Sequence, residues 1–243
     1  MSYSENILIR TRDCDMYGRW KPSAILETMQ ETATAHCAGA GLGRAVTDGL
    51  GVVWVVSRCR VEMARPFRLN ETCAVETFAL PGKHMFFPRG HVFRDAAGEV
   101  AGGALSLWLL LDVAARRAVR QPFVLEKLPV EAREAPAAQP RTVRPAGEEL
   151  AAATFTPPFT DFDVNGHVNN TKYMDWFWNA LGAERLEGRE IAAFDINYDS
   201  EILPGEVIET ALYRTDENAF AFCGGAGEKR RFGISAQLRD ARR

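Results

Sequence analysis

The feature that most limits what this chain can fold into is an internal repeat. Asp13-Cys-Asp-Met-Tyr-Gly-Arg19 returns as Asp161-Phe-Asp-Val-Asn-Gly-His167, each residue 148 positions after its counterpart. The same shift lays Ile25, Thr28, Met29, Thr32 and Ala33 on Tyr173, Trp176, Phe177, Ala180 and Leu181. Both sets have the i, i+3, i+4, i+7, i+8 spacing of a helix with one buried face. Pro22 suits the first turn of the earlier helix, and Gly39 and Gly41 its end. Asn169 and Asn170 read as caps of the later helix and Gly182 as its stop.

After each helix the pattern turns to strands. Residues 51–62, 71–80, 85–94 and 100–112 are rich in Val, Phe, Trp and Leu, and 190–198, 206–214, 219–223 and 231–238 repeat the scheme. Asp95-Ala-Ala-Gly98 and Gly224–Glu228 read as turns, so the pairing is expected to be mostly antiparallel. Arg60–Glu71 aligns with Asp195–Glu206 at a shift of 135, which gives the first copy the longer helix-to-strand connection. Residues 129–149, rich in Pro, Ala, Arg and Glu, read as a surface linker. The expected architecture is α+β: a tandem of hotdog folds with sheets side by side, each a mostly antiparallel sheet wrapped around a central helix. The expected division is residues 1–130, a linker over 131–149, and 150–243.

Composition narrows the function. With 47% apolar and 25% charged residues the chain is ordinary for a globular protein, and a net charge of −3 gives no support for nucleic-acid binding. The N-terminus lacks a signal peptide's apolar core, and no apolar run is long enough for a membrane span. Five cysteines without a CxxC pair suit reduced thiols in a cytoplasm. No GxSxG elbow, HExxH or paired Cys/His spacing is present, and Gly39-Ala-Gly-Leu-Gly43 follows a helix rather than a strand. No metal or cofactor is therefore expected.

The repeat also sorts chemistry from scaffold. Asp163, Asn165 and His167 stand on alternate residues just ahead of the second helix, an acid, an amide and an imidazole on one face. The first copy has Asp15, Tyr17 and Arg19 there, and Pro66 where the second has Glu201. The polar set is complete only in the second copy. Backbone N–H groups near Val168–Asn170 are expected to face outward at the helix start, where they suit an oxyanion. Each polar residue also has a bland role: Asp-x-Asn-Gly makes a good turn, and His36, His84 and His91 read as structural or surface histidines.

These residues name a family. Asp163-Val-Asn-Gly-His-Val-Asn-Asn-Thr-Lys-Tyr173 resembles the active-site stretch of acyl-acyl carrier protein (acyl-ACP) thioesterases of plants and bacteria. In the first half Gly51-Val-Val-Trp-Val-Val-Ser-Arg58, Val75-Glu-Thr-Phe78 and Ser106-Leu-Trp-Leu-Leu-Leu-Asp112, followed by Arg116-Arg117, are similar to that family's N-terminal strands. The resemblance covers nearly the whole chain.

The resemblance implies hydrolysis of a fatty acyl thioester on ACP in fatty acid biosynthesis, without metal or cofactor. It implies that the family's Asp, Asn, His and Glu are Asp163, Asn165, His167 and Glu201. Plant members often carry a Cys after that Glu; Ile202 stands here, so a cysteine mechanism is not expected. The residues leave two nucleophiles open: water activated by Glu201 and His167, which is favoured, or direct attack by Asp163. The N-terminal half is expected to hold the acyl chain along the smaller helix stripe, with Ile25, Thr28, Met29, Thr32 and Trp54 as substrate-binding candidates. Because ACP is acidic, Arg58, Arg60, Arg65 and Arg68, or Arg116, Arg117 and Arg120, are expected to form a docking patch. Plant members begin with a plastid transit segment, and the start of this sequence at the fold points to a bacterial-type cytoplasmic enzyme. An acyl-CoA thioesterase on the same fold and a non-turning acyl sensor are the alternatives. Pairing of two chains into a homodimer is left open.

Overall fold

A computed structural model describes residues 1–241. The elements run β1 (Tyr3–Leu8), α1 (Pro22–Gly39), α2 (Arg44–Gly49), β2 (Val52–Met63), β3 (Thr72–Ala79), β4 (Phe87–Arg94), β5 (Val100–Asp112), β6 (Arg117–Ala118), α3 (Pro122–Lys127), β7 (Glu148–Phe155), α4 (Lys172–Leu186), β8 (Arg189–Tyr198), β9 (Ile208–Asp216), β10 (Ala219–Ala226) and β11 (Lys229–Asp240). Among the described residues all strands join one 11-stranded sheet ordered β1-β3-β4-β5-β2-β8-β11-β10-β9-β7, with β6 pairing β5. Every ladder is antiparallel. Each half therefore lays its strands outward from the centre in the same order, and the halves meet where β2 pairs β8.

That seam carries the symmetry. Along β2 and β8, residue i pairs with residue 255 − i. Under the repeat, residue i corresponds to residue i + 135. Both relations hold together only at Arg60 and Asp195, so the pseudo-twofold axis passes through that pair. Their side chains meet on the axis, Arg60 Nη1 lying 2.5 Å from Asp195 Oδ2, with both largely buried.

Side chains alternate across the sheet. Phe194 and Ile196 of β8 face the helices and join a core built from Ile25, Met29, Tyr173, Trp176, Phe177 and Leu181. Thus both helical stripes are buried as their spacing requires, although Thr28 and Ala180 are only half-buried. Gly182 adopts φ 72° inside α4, so it breaks the helix, and one further turn continues to Leu186.

Asp195 and Asn197 face the other side, where the segment before β7 lies. Arg141 N donates to Asp195 Oδ1 at 2.9 Å, Val143 N to Asn197 Oδ1 at 2.7 Å, and Asn197 Nδ2 to Arg141 O at 2.8 Å. A Cβ on Gly103 of β5 would lie 2.3 Å from Pro136 O, so glycine is required where this segment crosses the sheet. The expected surface linker is therefore pinned along the back of the sheet rather than being a free tether, and its last two residues, Glu148 and Glu149, already belong to β7. Strands β1 and β7, the two sheet edges, are additions to the expected elements. Both are largely solvent-facing and lack the alternation that marks a half-buried strand.

Candidate active site

The two turns that precede α1 and α4 share three bonds. In the second copy Asp163 N donates to His167 O at 2.9 Å, Gly166 N to Asp163 O at 3.0 Å, and Asn165 N to Asp163 Oδ1 at 2.8 Å. In the first, Asp15 N donates to Arg19 O at 2.9 Å, Gly18 N to Asp15 O at 3.0 Å, and Tyr17 N to Asp15 Oδ1 at 2.9 Å. Gly18 and Gly166 take the positive φ each turn needs, 72° and 78°. The expected turn role of Asp163 is thus real, and it is shared by both copies.

What the turns present differs. In the first copy Arg19 is buried, paired with Asp15, and donates to Leu186 O, while Tyr17 donates to Ala183 O. The polar ends of that copy are consumed in joining the halves. In the second copy Asn165 is exposed and His167 half-exposed. His167 Nε2 lies 3.4 Å from Glu201 Oε2. Asn165 Nδ2 donates to Asp163 Oδ2 at 3.3 Å, so both oxygens of Asp163 accept from Asn165. The four candidates form two linked pairs, Asp163 with Asn165 and His167 with Glu201.

Glu201 is held from behind. Arg231 Nη1 donates to its backbone O at 2.8 Å and to Ser200 Oγ at 3.3 Å, and Arg231 also pairs with Glu206. In front, Arg116 Nη2 lies 3.5 Å from Glu201 Oε2. Arg116 stands 79% exposed by side chain at the rim of the site, in a left-handed conformation with φ 50°. Its sequence position gave no hint of this contact, which spans the two halves.

The amides at the start of α4 are mostly committed. Val168 N donates to Ile202 O at 3.0 Å and Asn169 N to Asp161 O at 2.8 Å, and their counterparts Trp20 N and Lys21 N do the same to Phe67 O and Asp13 O. They hold the turn and are not free for an oxyanion, contrary to the expectation for Val168 and Asn169. Among the described residues, the Asn170 N–H donates to no acceptor. Its counterpart in the first copy is Pro22, which has no N–H. Neither Asn169 nor Asn170 caps α4, whose N-cap is Thr171; Asn169 closes a turn just before the helix, accepting from Thr171 N and Oγ1 at 2.9 Å each. Asn170 instead offers its carbonyl to Tyr198 Oη at 3.1 Å. Burial raises the Tyr198 phenol well above its ordinary value, so it stays a neutral donor.

Beside Asn170 and Tyr198 a slot of about 20 Å³ enters the first half, between α1 and β2. Of the residues expected to bind an acyl chain, Met29 lines it. Ile25 is packed in the core, Thr32 Oγ1 donates to Thr28 O, and Trp54 packs edge-on against Phe87 in a separate cluster. A much larger open groove, about 920 Å³, runs between α4 and strands β7, β9 and β10, near Asp15, Tyr17 and Lys21 of the first turn. None of Asp163, Asn165, His167 or Glu201 lines it.

The arginine clusters separate. Arg60 pairs with Glu62 and Asp195, Arg65 with Glu71 and Asp95, and Arg68 with Glu190, while Arg58 donates to Thr142. The first expected patch is largely neutralised. Arg116 and Arg117 are exposed, and Arg120 stacks over Phe87 while donating to His84 O. Two of the remaining histidines, His36 and His91, are buried around Arg89. Among the described residues no group of His, Cys, Asp or Glu is arranged to hold a metal ion, and no helix is long and apolar enough to cross a membrane.

Fold and site together define a tandem hotdog protein with one complete polar set. Residues 1–124 match the acyl-ACP thioesterase N-terminal domain and residues 146–226 the acyl-ACP thioesterase C-terminal domain. The chain belongs to the acyl-ACP thioesterase family. Among its relatives, the chloroplastic palmitoyl-acyl carrier protein thioesterase of Gossypium hirsutum is 26% identical over 89% of this chain and 56% of its own length. The chloroplastic oleoyl-acyl carrier protein thioesterase 1 of Arabidopsis thaliana is 24% identical over 89% of this chain and 65% of its own. The chain thus spans roughly half to two thirds of those relatives. The fold matches an acyl-ACP thioesterase from Bacteroides thetaiotaomicron with TM-score 0.89 at 20% identity, covering 98% of both chains. It also matches the 12:0-ACP thioesterase from Umbellularia californica with TM-score 0.87 at 20% identity, covering 98% of this chain and 97% of the other.

Proposed function

We propose that this chain hydrolyses fatty acyl-ACP to a free fatty acid and holo-ACP, with the chemistry in the second half. The observation that carries the reading is the His167–Glu201 contact at 3.4 Å beside an Asn165 oriented by Asp163, present in one copy of the repeat and absent from the other. Residues 150–243 supply the reacting groups, residues 1–130 receive the acyl chain, and residues 131–149 join them.

Glu201 takes a proton from water as the water oxygen attacks the thioester carbon. The carbonyl electrons move to oxygen, and the Asn170 N–H donates to that oxyanion at the start of α4. Asn165, its amide turned by Asp163, positions the carbonyl or the water. The intermediate collapses, the C–S bond breaks, and His167 delivers a proton to the leaving thiolate. Asp163 has both oxygens engaged by Asn165, which supports water over Asp163 as the nucleophile. The acyl chain enters at the slot beside Asn170, which must widen, with Met29 moving aside, to take more than a water-sized group. ACP, an acidic partner, docks over Arg116 and Arg117 at the rim.

Steady-state thiol release from an acyl-ACP series, beside matched acyl-CoA, tests this. Turnover of acyl-ACP that is lost in His167→Ala is expected. Binding without turnover would make the protein a sensor, and turnover of acyl-CoA alone would remove ACP from the account.

A further inference from the structure

The slot beside the active site ends on an unusual group. His91 is 1% exposed, and its Nε2 lies 3.1 Å from the backbone O of Met29. A carbonyl oxygen only accepts, so Nε2 carries the ring proton. Burial first, and then the charge of Arg89, push the His91 pKa down to about 3, and the ring is neutral. Its Nδ1 is therefore an acceptor. That nitrogen is buried and has no donor among the described residues.

Three hydroxyl or N–H groups on the slot wall are already engaged. Ser106 Oγ donates to Arg89 O at 3.3 Å and accepts from Trp108 Nε1 at 2.9 Å. Tyr198 Oη donates to Asn170 O. The slot, lined by Met29, Cys59, His91, Ser106, Asn170 and Tyr198 among others, has room for one hydroxyl-sized group. A purely hydrocarbon chain would seal Nδ1 against methylenes and leave it unpaired, which a native interior avoids. A ketone would set acceptor against acceptor. A hydroxyl supplies the missing donor.

We infer that the slot receives a hydroxyl carried on the acyl chain, with His91 Nδ1 accepting its hydrogen bond, so that the substrate class is hydroxyacyl thioesters. The inference rests on the hydrolase reading above. Met29, an unbranched thioether on the slot wall, would have to move aside for the carbons that carry the hydroxyl. A site that hydrogen-bonds a substrate hydroxyl discriminates against the chain lacking it more strongly than an apolar pocket does.

The test is kcat/KM for acyl-ACP of fixed length with the hydroxyl moved along successive carbons, against the unsubstituted chain. At one position the hydroxylated substrate is expected to be favoured by roughly 5- to 100-fold, the range for pairing a buried group otherwise left unsatisfied. In His91→Leu that ratio falls to near one, and in His91→Gln, which keeps an acceptor oxygen, part of it returns. A ratio near one at every position in the wild-type protein would overturn the inference and leave a slot that takes water only. So would a preference that survives His91→Leu. Should His91→Leu not fold, the wild-type scan and His91→Gln decide. Calorimetric binding of free hydroxylated and plain fatty acids needs no turnover. Absent hydrolysis would therefore overturn the enzyme reading alone, whereas equal affinity for the two acids would overturn this one.

Discussion

Asn170 stands at the mouth of α4 in the position that Pro22 occupies at the mouth of α1. The bonds just ahead of this position match in the two copies, although α1 begins at Pro22 itself and α4 only at Lys172, and among the described residues Asn170 keeps a free N–H where Pro22 has none. Asn170→Pro should therefore fold, because the scaffold already accepts proline at this site, yet it removes the oxyanion donor. A fall in kcat of about 10²- to 10³-fold is expected, the cost of losing one such donor. Unchanged kcat in a folded Asn170→Pro would place the oxyanion elsewhere.

Arg60 and Asp195 mark the axis between the halves, with side chains 11% and 3% exposed. Asp195→Ala removes the more buried of the two acids paired with Arg60, and the acceptor of Arg141 N, and should cost about 3 kcal/mol in urea unfolding. Replacing both residues by apolar ones of similar size should recover most of that loss, since the seam then buries no unpaired charge. Equal losses in the single and double variants would mean that the pair does not hold the seam.

His91 links the fold to pH. Its buried ring has a pKa of about 3, far below the ordinary value near 6.5 that it regains on unfolding. Between these values the unfolded chain binds a proton that the native ring refuses. Stability should therefore fall as pH drops from about 6.5, by up to about 1.4 kcal/mol per pH unit from this group, and be insensitive to it above. His36 is also lowered, by burial first and then by Arg89, and adds in the same direction. Denaturant midpoints at pH 7 and pH 5 check this: His91→Leu should show the shallower acid loss, and an identical loss would contradict the assignment.

Arg116 rims the site with the exposed Arg117 next to it in the chain, whereas Arg60, Arg65 and Arg68 are spent on nearby acids. Charge reversal at Arg116 and Arg117 should raise KM for acyl-ACP several-fold at low salt and flatten its salt dependence. Reversal at Arg58, which donates to Thr142, should have the smaller effect. The opposite ranking would move the docking surface across the molecule.

The repeat made the tandem architecture legible because helix stripes and turn residues are local signals. Tyr173, Trp176, Phe177 and Leu181 are buried as their spacing demands. Strands β1 and β7 stayed hidden because an edge strand facing water on most residues has no period to read. The candidate set Asp163, Asn165, His167 and Glu201 could be named from sequence, but not its partition into two pairs. The pairing of the first arginine cluster and the contact of Arg116 with Glu201 were hidden for one reason. Asp195, Glu190 and Glu201 reach their arginines from the other half of the chain, and contacts of that range leave no mark on local sequence. The contrast between Asn170 and Pro22 was present in the repeat all along, and only the bonds of the two turns gave it meaning.

The most direct test of the central claim is acyl-ACP turnover by the wild-type protein, His167→Ala, Glu201→Gln and the double variant. If these two side chains act as one unit on water, each single change should lower kcat by about 10²- to 10⁴-fold, and the double variant should be little worse than the poorer single. Substantial turnover in the double variant would contradict the account and separate the second copy's polar set from the chemistry.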